Sequence, residues 1–178
     1  MRRVVAKVVW GGVMLGLFAP CVAQASFLSD GRFTDETYFN PGLLLGLAGR
    51  DGRLVGALGL EVSLHHFTAS GAGFGAFGQW QWMALESQRF CAGAQMTSPV
   101  FQVLGVELGV AHETGDTRHA GTTSIHVAPF FAYGVATLSL RLGIPFHSRE
   151  SPLPGRGFEG GLNLALKFPN PVESGRNR

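Results

Sequence analysis

The chain has 178 residues, and only 15% of them are charged, against about 25% in an ordinary soluble domain. Its formal net charge of +2 comes from 14 Lys+Arg and 12 Asp+Glu, but Arg2, Arg3 and Lys7 stand at the very start. Without those three the balance is 11 basic to 12 acidic residues, which leaves no basis for nucleic-acid binding.

Residues 1–25 read as a secretory signal peptide. Arg2, Arg3 and Lys7 give the basic start, Val8 to Ala19 the apolar run, and Ala23-Gln24-Ala25 a small-x-small cleavage site. The apolar run is shorter than the roughly 20 residues a membrane helix needs. Sec export with cleavage near Ala25 is the expected route. Lipidation at Cys21 is opposed by Pro20, and Arg2-Arg3 only partly matches a twin-arginine signal. With Cys21 removed, Cys91 stands alone, so no internal disulfide or cysteine metal site is expected. Residues 26–40 carry no clear pattern and read as a periplasmic lead-in.

From residue 41 onward the chain alternates with period two, the strand period, because successive side chains point to opposite faces. Between Leu54 and Leu64 the even positions are Leu54, Gly56, Leu58, Leu60, Val62 and Leu64; the odd ones are Val55, Ala57, Gly59, Glu61 and Ser63. Eight strands are expected: Pro41–Gly49, Leu54–His66, Gly73–Ala84, Arg89–Met96, Val100–His112, Ser124–Tyr133, Val135–Phe146 and Gly157–Phe168. Asp51-Gly52 marks a hairpin; Ala69-Ser70-Gly71, Ser98-Pro99 and Gly134 mark later junctions. An even number of amphipathic strands behind a secretory signal predicts an all-β fold, an eight-stranded antiparallel transmembrane barrel over residues 41–168. Residues 169–178, rich in Pro, Asn and Ser, read as a disordered periplasmic tail.

Loop lengths and aromatic positions give this barrel an orientation. The fifth connection, Glu113–Thr123, and the seventh, His147–Arg156, are the longest and would face outside. Phe39, Phe74, Tyr133 and Phe168 fall at the periplasmic strand ends, and Trp80, Trp82, Phe90 and Phe146 toward the outer ends, where aromatic belts form. Glu61, Glu107, Arg141 and Lys167 all fall opposite the aliphatic face. A charge on the lipid face costs about 2–4 kcal/mol at mid-membrane, so these residues are expected inside, paired in a network that Arg89 extends. In so narrow a lumen the network is expected to act as a plug.

Three other readings compete with this one. A soluble periplasmic barrel or sandwich with an apolar interior would turn the other face to water, but that face is rich in Gly and Ala and poor in charge. Chemistry would have to come from His112, Glu113, Ser124 and His126 with His147 and Ser148, whose hydroxyl, imidazole and carboxylate groups suit acyl transfer. Zinc would need three or four ligands in fixed geometry, which this loop composition does not enforce. No cofactor is expected.

At the last strand the chain resembles small outer-membrane barrels of the OmpA/OmpX type. Glu159-Gly160-Gly161-Leu162-Asn163-Leu164-Ala165-Leu166 is similar to their assembly signal, a polar residue, a glycine two later and two spaced apolar residues. That resemblance implies recognition by the barrel-assembly machinery through Glu159, Gly161, Leu164 and Leu166, and residence among outer-membrane lipid. Unlike many such barrels, this chain continues past its aromatic Phe168. Some barrels of this size are lipid A deacylases, but their His-x-Ser signature is not matched: Ser63-Leu64-His65 runs in reverse and His147-Ser148 lacks the spacer. The expected role is therefore structural, or surface interaction through the two long loops.

Overall fold

The computed structural model describes residues 35–50, 52–98 and 103–172. The expected signal peptide, the lead-in up to residue 34 and the last six residues lie outside the described residues. The strands are β1 (Glu36–Arg50), β2 (Arg53–Phe67), β3 (Gly73–Met83), β4 (Ser87–Thr97), β5 (Leu104–Glu113), β6 (Thr122–Tyr133), β7 (Ala136–Ser148), β8 (Glu159–Lys167) and a two-residue β9 (Asn170–Pro171). Each of β1 to β7 pairs antiparallel with the next, and β8 closes the ring by pairing antiparallel with β1. The sheet is closed: an all-β, eight-stranded antiparallel barrel with no unpaired edge along most of its length.

Several boundaries differ from expectation. β1 starts at Glu36, not Pro41, because Glu36–Asn40 pairs with Ser63–Phe67; its polar residues hide the alternation. β4 starts at Ser87, two residues early, since Ala84 (φ 52°) and Leu85 (φ 60°) close the preceding hairpin without a glycine. Such left-handed backbone is uncommon outside Gly, Asn and Asp, and composition gives no sign of it. β5 runs through Glu113 and β6 starts at Thr122, which shortens the fifth connection to 114–121; β7 runs through Ser148 and β8 starts at Glu159, which moves the seventh to 149–158 without shortening it. Asn170 and Pro171, placed by sequence in the tail, pair with Phe39 and Tyr38 of β1.

One end of the barrel carries the β1–β2, β3–β4, β5–β6 and β7–β8 connections and is called the loop end; the other holds the start of β1 and the end of β8. Two pairs of neighbouring residues show which way the wall faces. Leu60 is 49% exposed and Glu61 2%; Leu140 is 47% exposed and Arg141 0%. The outward face is a band of Leu43, Leu45, Leu47, Leu58, Leu60, Val62, Leu108, Val110, Ile125, Leu138, Leu140, Ile144 and Leu162. Phe39, Phe74 and Tyr133 lie exposed toward the terminal end, and Trp82, Phe90 and Phe146 toward the loop end; Trp80 and Phe168 are half-buried. Among the described residues, no Asp, Glu, Lys or Arg points outward between the two rims.

The lumen is lined by small, polar and charged residues, with modest apolar clusters of Ala48, Ala57 and Met83 and of Phe77, Cys91 and Ala111. Glycine allows the tight curvature of so small a barrel. Gly93 stands opposite Gly109 in the β4–β5 ladder, and a Cβ on Gly93 would sit 2.1 Å from the Leu108 carbonyl oxygen. The register of β6 against β7 shifts between Thr123 and Ser124, facing Pro145. Pro145 has no N–H for the ladder, and a bulge accommodates such a residue.

Candidate functional site

The charged lumen falls into two groups stacked along the barrel axis. At the loop end, four arginines from four segments meet three carboxylates. Arg50 Nη1 donates to both Glu113 carboxylate oxygens at 2.6 Å and lies 3.5 Å from Glu159. Arg89 Nη1 and Arg141 Nη2 reach Glu159 Oε1 at 2.5 and 2.7 Å, and Arg141 Nη1 donates to Gln81 Oε1 at 2.8 Å. Ser87 Oγ donates to Glu113 Oε1 at 2.5 Å. Arg156, from the β7–β8 connection, lies 3.2 Å from Glu113 and 2.8 Å from Asp116.

Deeper in the barrel, Lys167 Nζ lies 2.5 Å from Glu61 and 3.8 Å from Glu107. Gln79 Nε2 donates to both carboxylates at 3.2 Å. His126 stands between the groups. Its Nδ1 is 3.3 Å from Arg89 Nη2 and its Nε2 is 3.4 Å from Glu107 Oε2. A guanidinium only donates and a carboxylate only accepts, so the imidazole is set with its proton on Nε2. Nearer the terminal end, Gln95 Nε2 donates to His65 Nδ1 at 2.9 Å.

The five residues expected to form one network thus divide. Glu61, Glu107 and Lys167 come together; Arg89 and Arg141 pair with Glu159, not with Glu61 or Glu107. The partners missed by sequence reading are Arg50, Glu113, Glu159 and Arg156. Arg50 and Glu113 close strands next to turns and read as loop residues. A signal was available for Glu159, which shares the parity of Asn163 and Lys167 on β8.

The residues considered for acyl chemistry are not assembled for it. Glu113 belongs to the buried arginine cluster rather than to a loop. His126 lies fully inside the barrel and spends both ring nitrogens on Arg89 and Glu107, so it has no nitrogen for a hydroxyl proton. Ser124 faces the lumen wall. His112 is exposed on the outward face, with Nδ1 3.0 Å from Thr123 Oγ1; His147 stands across from Thr123 in the neighbouring strand. Ser148 Oγ lies 3.4 Å from Thr122 Oγ1.

The two longer connections fold onto each other over the loop end. Ala120 N donates to Pro154 O at 2.9 Å and Arg149 N to Gly121 O at 2.8 Å. Asp116 Oδ1 accepts the Arg118 and His119 amides at 2.7 and 2.8 Å, and its other oxygen takes Arg156. Burial pushes the Asp116 carboxyl upward, but the Arg156 and His119 hydrogen bonds outweigh this and hold it below the usual carboxylate range.

These features define a class: a closed eight-stranded antiparallel barrel turned inside out, apolar on its surface and ionic in its lumen. No family model matches the chain, and no curated protein matches it in sequence. Among solved structures it is similar to Ail, the attachment invasion locus protein of Yersinia pestis, crystallised with the heparin analogue sucrose octasulfate. The TM-score is 0.41 at 10% identity, over 78% of this chain and 100% of that one.

Proposed function

We propose that this protein is an outer-membrane β-barrel of a bacterial envelope, closed to solutes by its ionic lumen and acting at the cell surface through residues 114–121 and 149–158. The observation that carries this reading is the inverted wall. A soluble barrel would place the Leu60 and Leu140 rows inside and the Glu61 and Arg141 rows in water. Here each uncharged row faces out around the closed sheet, and each of the eight strands has a ladder on both sides, the closure that a bilayer demands. The signal peptide expected at residues 1–25 would supply the export route, and Glu159, Gly161, Leu164 and Leu166 the contact with the assembly machinery.

The ionic lumen supports a plug rather than a pore. Four arginines, one lysine and five carboxylates interlock across strands on every side, and an unpaired charge there would be very costly. The docked connections leave their outer surface, with Arg118, Leu153 and Phe158 exposed, as the part that meets the exterior.

The test is gel mobility of the membrane-extracted mature protein in mild detergent, before and after boiling, with a carbonate wash of the membranes. Retention after the wash and a heat-dependent mobility shift are expected. Release by the wash without a shift would overturn the membrane assignment.

A further inference from the structure

We propose that the loop-end lumen binds one monovalent inorganic anion of about chloride size, held by Arg156 Nε and the Ser124 hydroxyl. Three observations converge on it. The first is charge: Arg50, Arg89, Arg141 and Arg156 face only Glu113, Asp116 and Glu159 in this cluster, and all seven side chains are at most 9% exposed. Taken alone, the loop-end group therefore carries one excess positive charge, and the opposite excess lies deeper, at Glu61 and Glu107. The second is room. A cavity of about 20 Å³ is bounded by Arg89, Glu113, Ser124, Gly143, Arg156 and Glu159, among others, which exceeds the 10–15 Å³ or so that a single water-sized occupant needs. The third is an open donor. Among the described residues, Arg156 Nε is buried without a hydrogen-bond acceptor, although the same guanidinium engages Glu113, Asp116 and the Thr114 carbonyl through Nη2.

Two carboxylates share the cavity wall, but their oxygens are already engaged by Arg50, Ser87, Arg89 and Arg141. The excess negative charge of the deeper group, where Lys167 alone meets Glu61 and Glu107, is set apart by the His126 ring. That ring accepts from Arg89 and donates to Glu107 without adding a charge. A small anion at Arg156 neutralises the loop-end cluster locally and gives Nε an acceptor, with the Ser124 hydroxyl as a second donor on the same wall. A neutral water would meet the second need but not the first.

The experiment uses the full mature chain folded in detergent, with chloride exchanged for gluconate at fixed ionic strength. The unfolding midpoint, read by heat-dependent gel mobility, rises with chloride and saturates, and Arg156→Gln abolishes that dependence. Because this variant also loosens the docked connections, wild-type crystals soaked in bromide supply a second readout: an anomalous peak in the cavity beside Arg156 Nε. A midpoint indifferent to chloride, or a cavity holding water and no anomalous peak, would each overturn the proposal.

Discussion

Glu159 is the residue on which the most charge converges. Arg50, Arg89 and Arg141 all reach its carboxylate, so its loss strands three buried guanidinium groups without their shared counter-charge. Removing one partner of a buried ion pair costs about 3–5 kcal/mol, because the partners' desolvation is no longer offset. Glu159→Gln keeps the shape and removes the charge, and is expected to lower stability by that amount in a denaturant titration of the detergent-folded barrel. Glu150→Gln, on the exposed β7–β8 connection, is expected to change it by less than about 0.5 kcal/mol. Equal effects from both would show that the lumen cluster does not hold the barrel. Parity along a strand states which side chains enter the lumen, and so Glu61, Glu107, Arg141 and Lys167 could be placed there from the sequence. Which charge meets which was not legible, because Arg50 and Glu159 lie 109 residues apart and their depth depends on the stagger of closure. That stagger is a property of the whole ring, and no single strand records it.

At the level of elements, the strands were readable where apolar and small residues alternate cleanly, as in β2, and misjudged where local chemistry is silent. The Glu36–Asn40 extension of β1 carries polar residues on both faces, and the Ala84–Leu85 turn lacks the glycine that marks the hairpins at Gly52 and Gly134. The docking of the two connections was equally hidden, since it depends on the contact between Asp116 and Arg156. This contact predicts a pH response. In the folded protein the Asp116 carboxyl titrates below its ordinary value, so it binds a proton less readily folded than unfolded. The contribution of the clasp is thus complete above the usual aspartate range, near pH 4, and is lost as the pH falls through the depressed folded value. The Arg118 and His119 amides, which donate to Asp116 Oδ1, report on it directly by NMR. Their shifts are expected to stay constant from pH 7 to about 4 and to move together at lower pH, with no such step in Asp116→Asn. A midpoint at the ordinary aspartate value would mean that the clasp is not formed in solution.

For the whole molecule, what separates a membrane barrel from a soluble one is the direction the wall faces, and a pair of adjacent residues on β7 measures it. Leu140 and Arg141 lie midway along the strand, the first on the outer surface and the second in the ionic lumen. In water, an exposed leucine replaced by arginine costs almost nothing, and such a change improves solubility. In a bilayer the same change puts a guanidinium into hydrocarbon at a cost of about 2–4 kcal/mol at the midplane, decreasing toward the interfaces. Leu140→Arg is therefore expected to lower the stability of the lipid-reconstituted barrel by that amount. The same substitution at Phe146 or Phe39, nearer the rims, is expected to cost markedly less. This depth dependence matters more than any one value, because a packing defect would not follow distance from the midplane. If the three variants were equally stable, or if Leu140→Arg improved recovery of the protein in the absence of detergent, the apolar band would not be facing lipid.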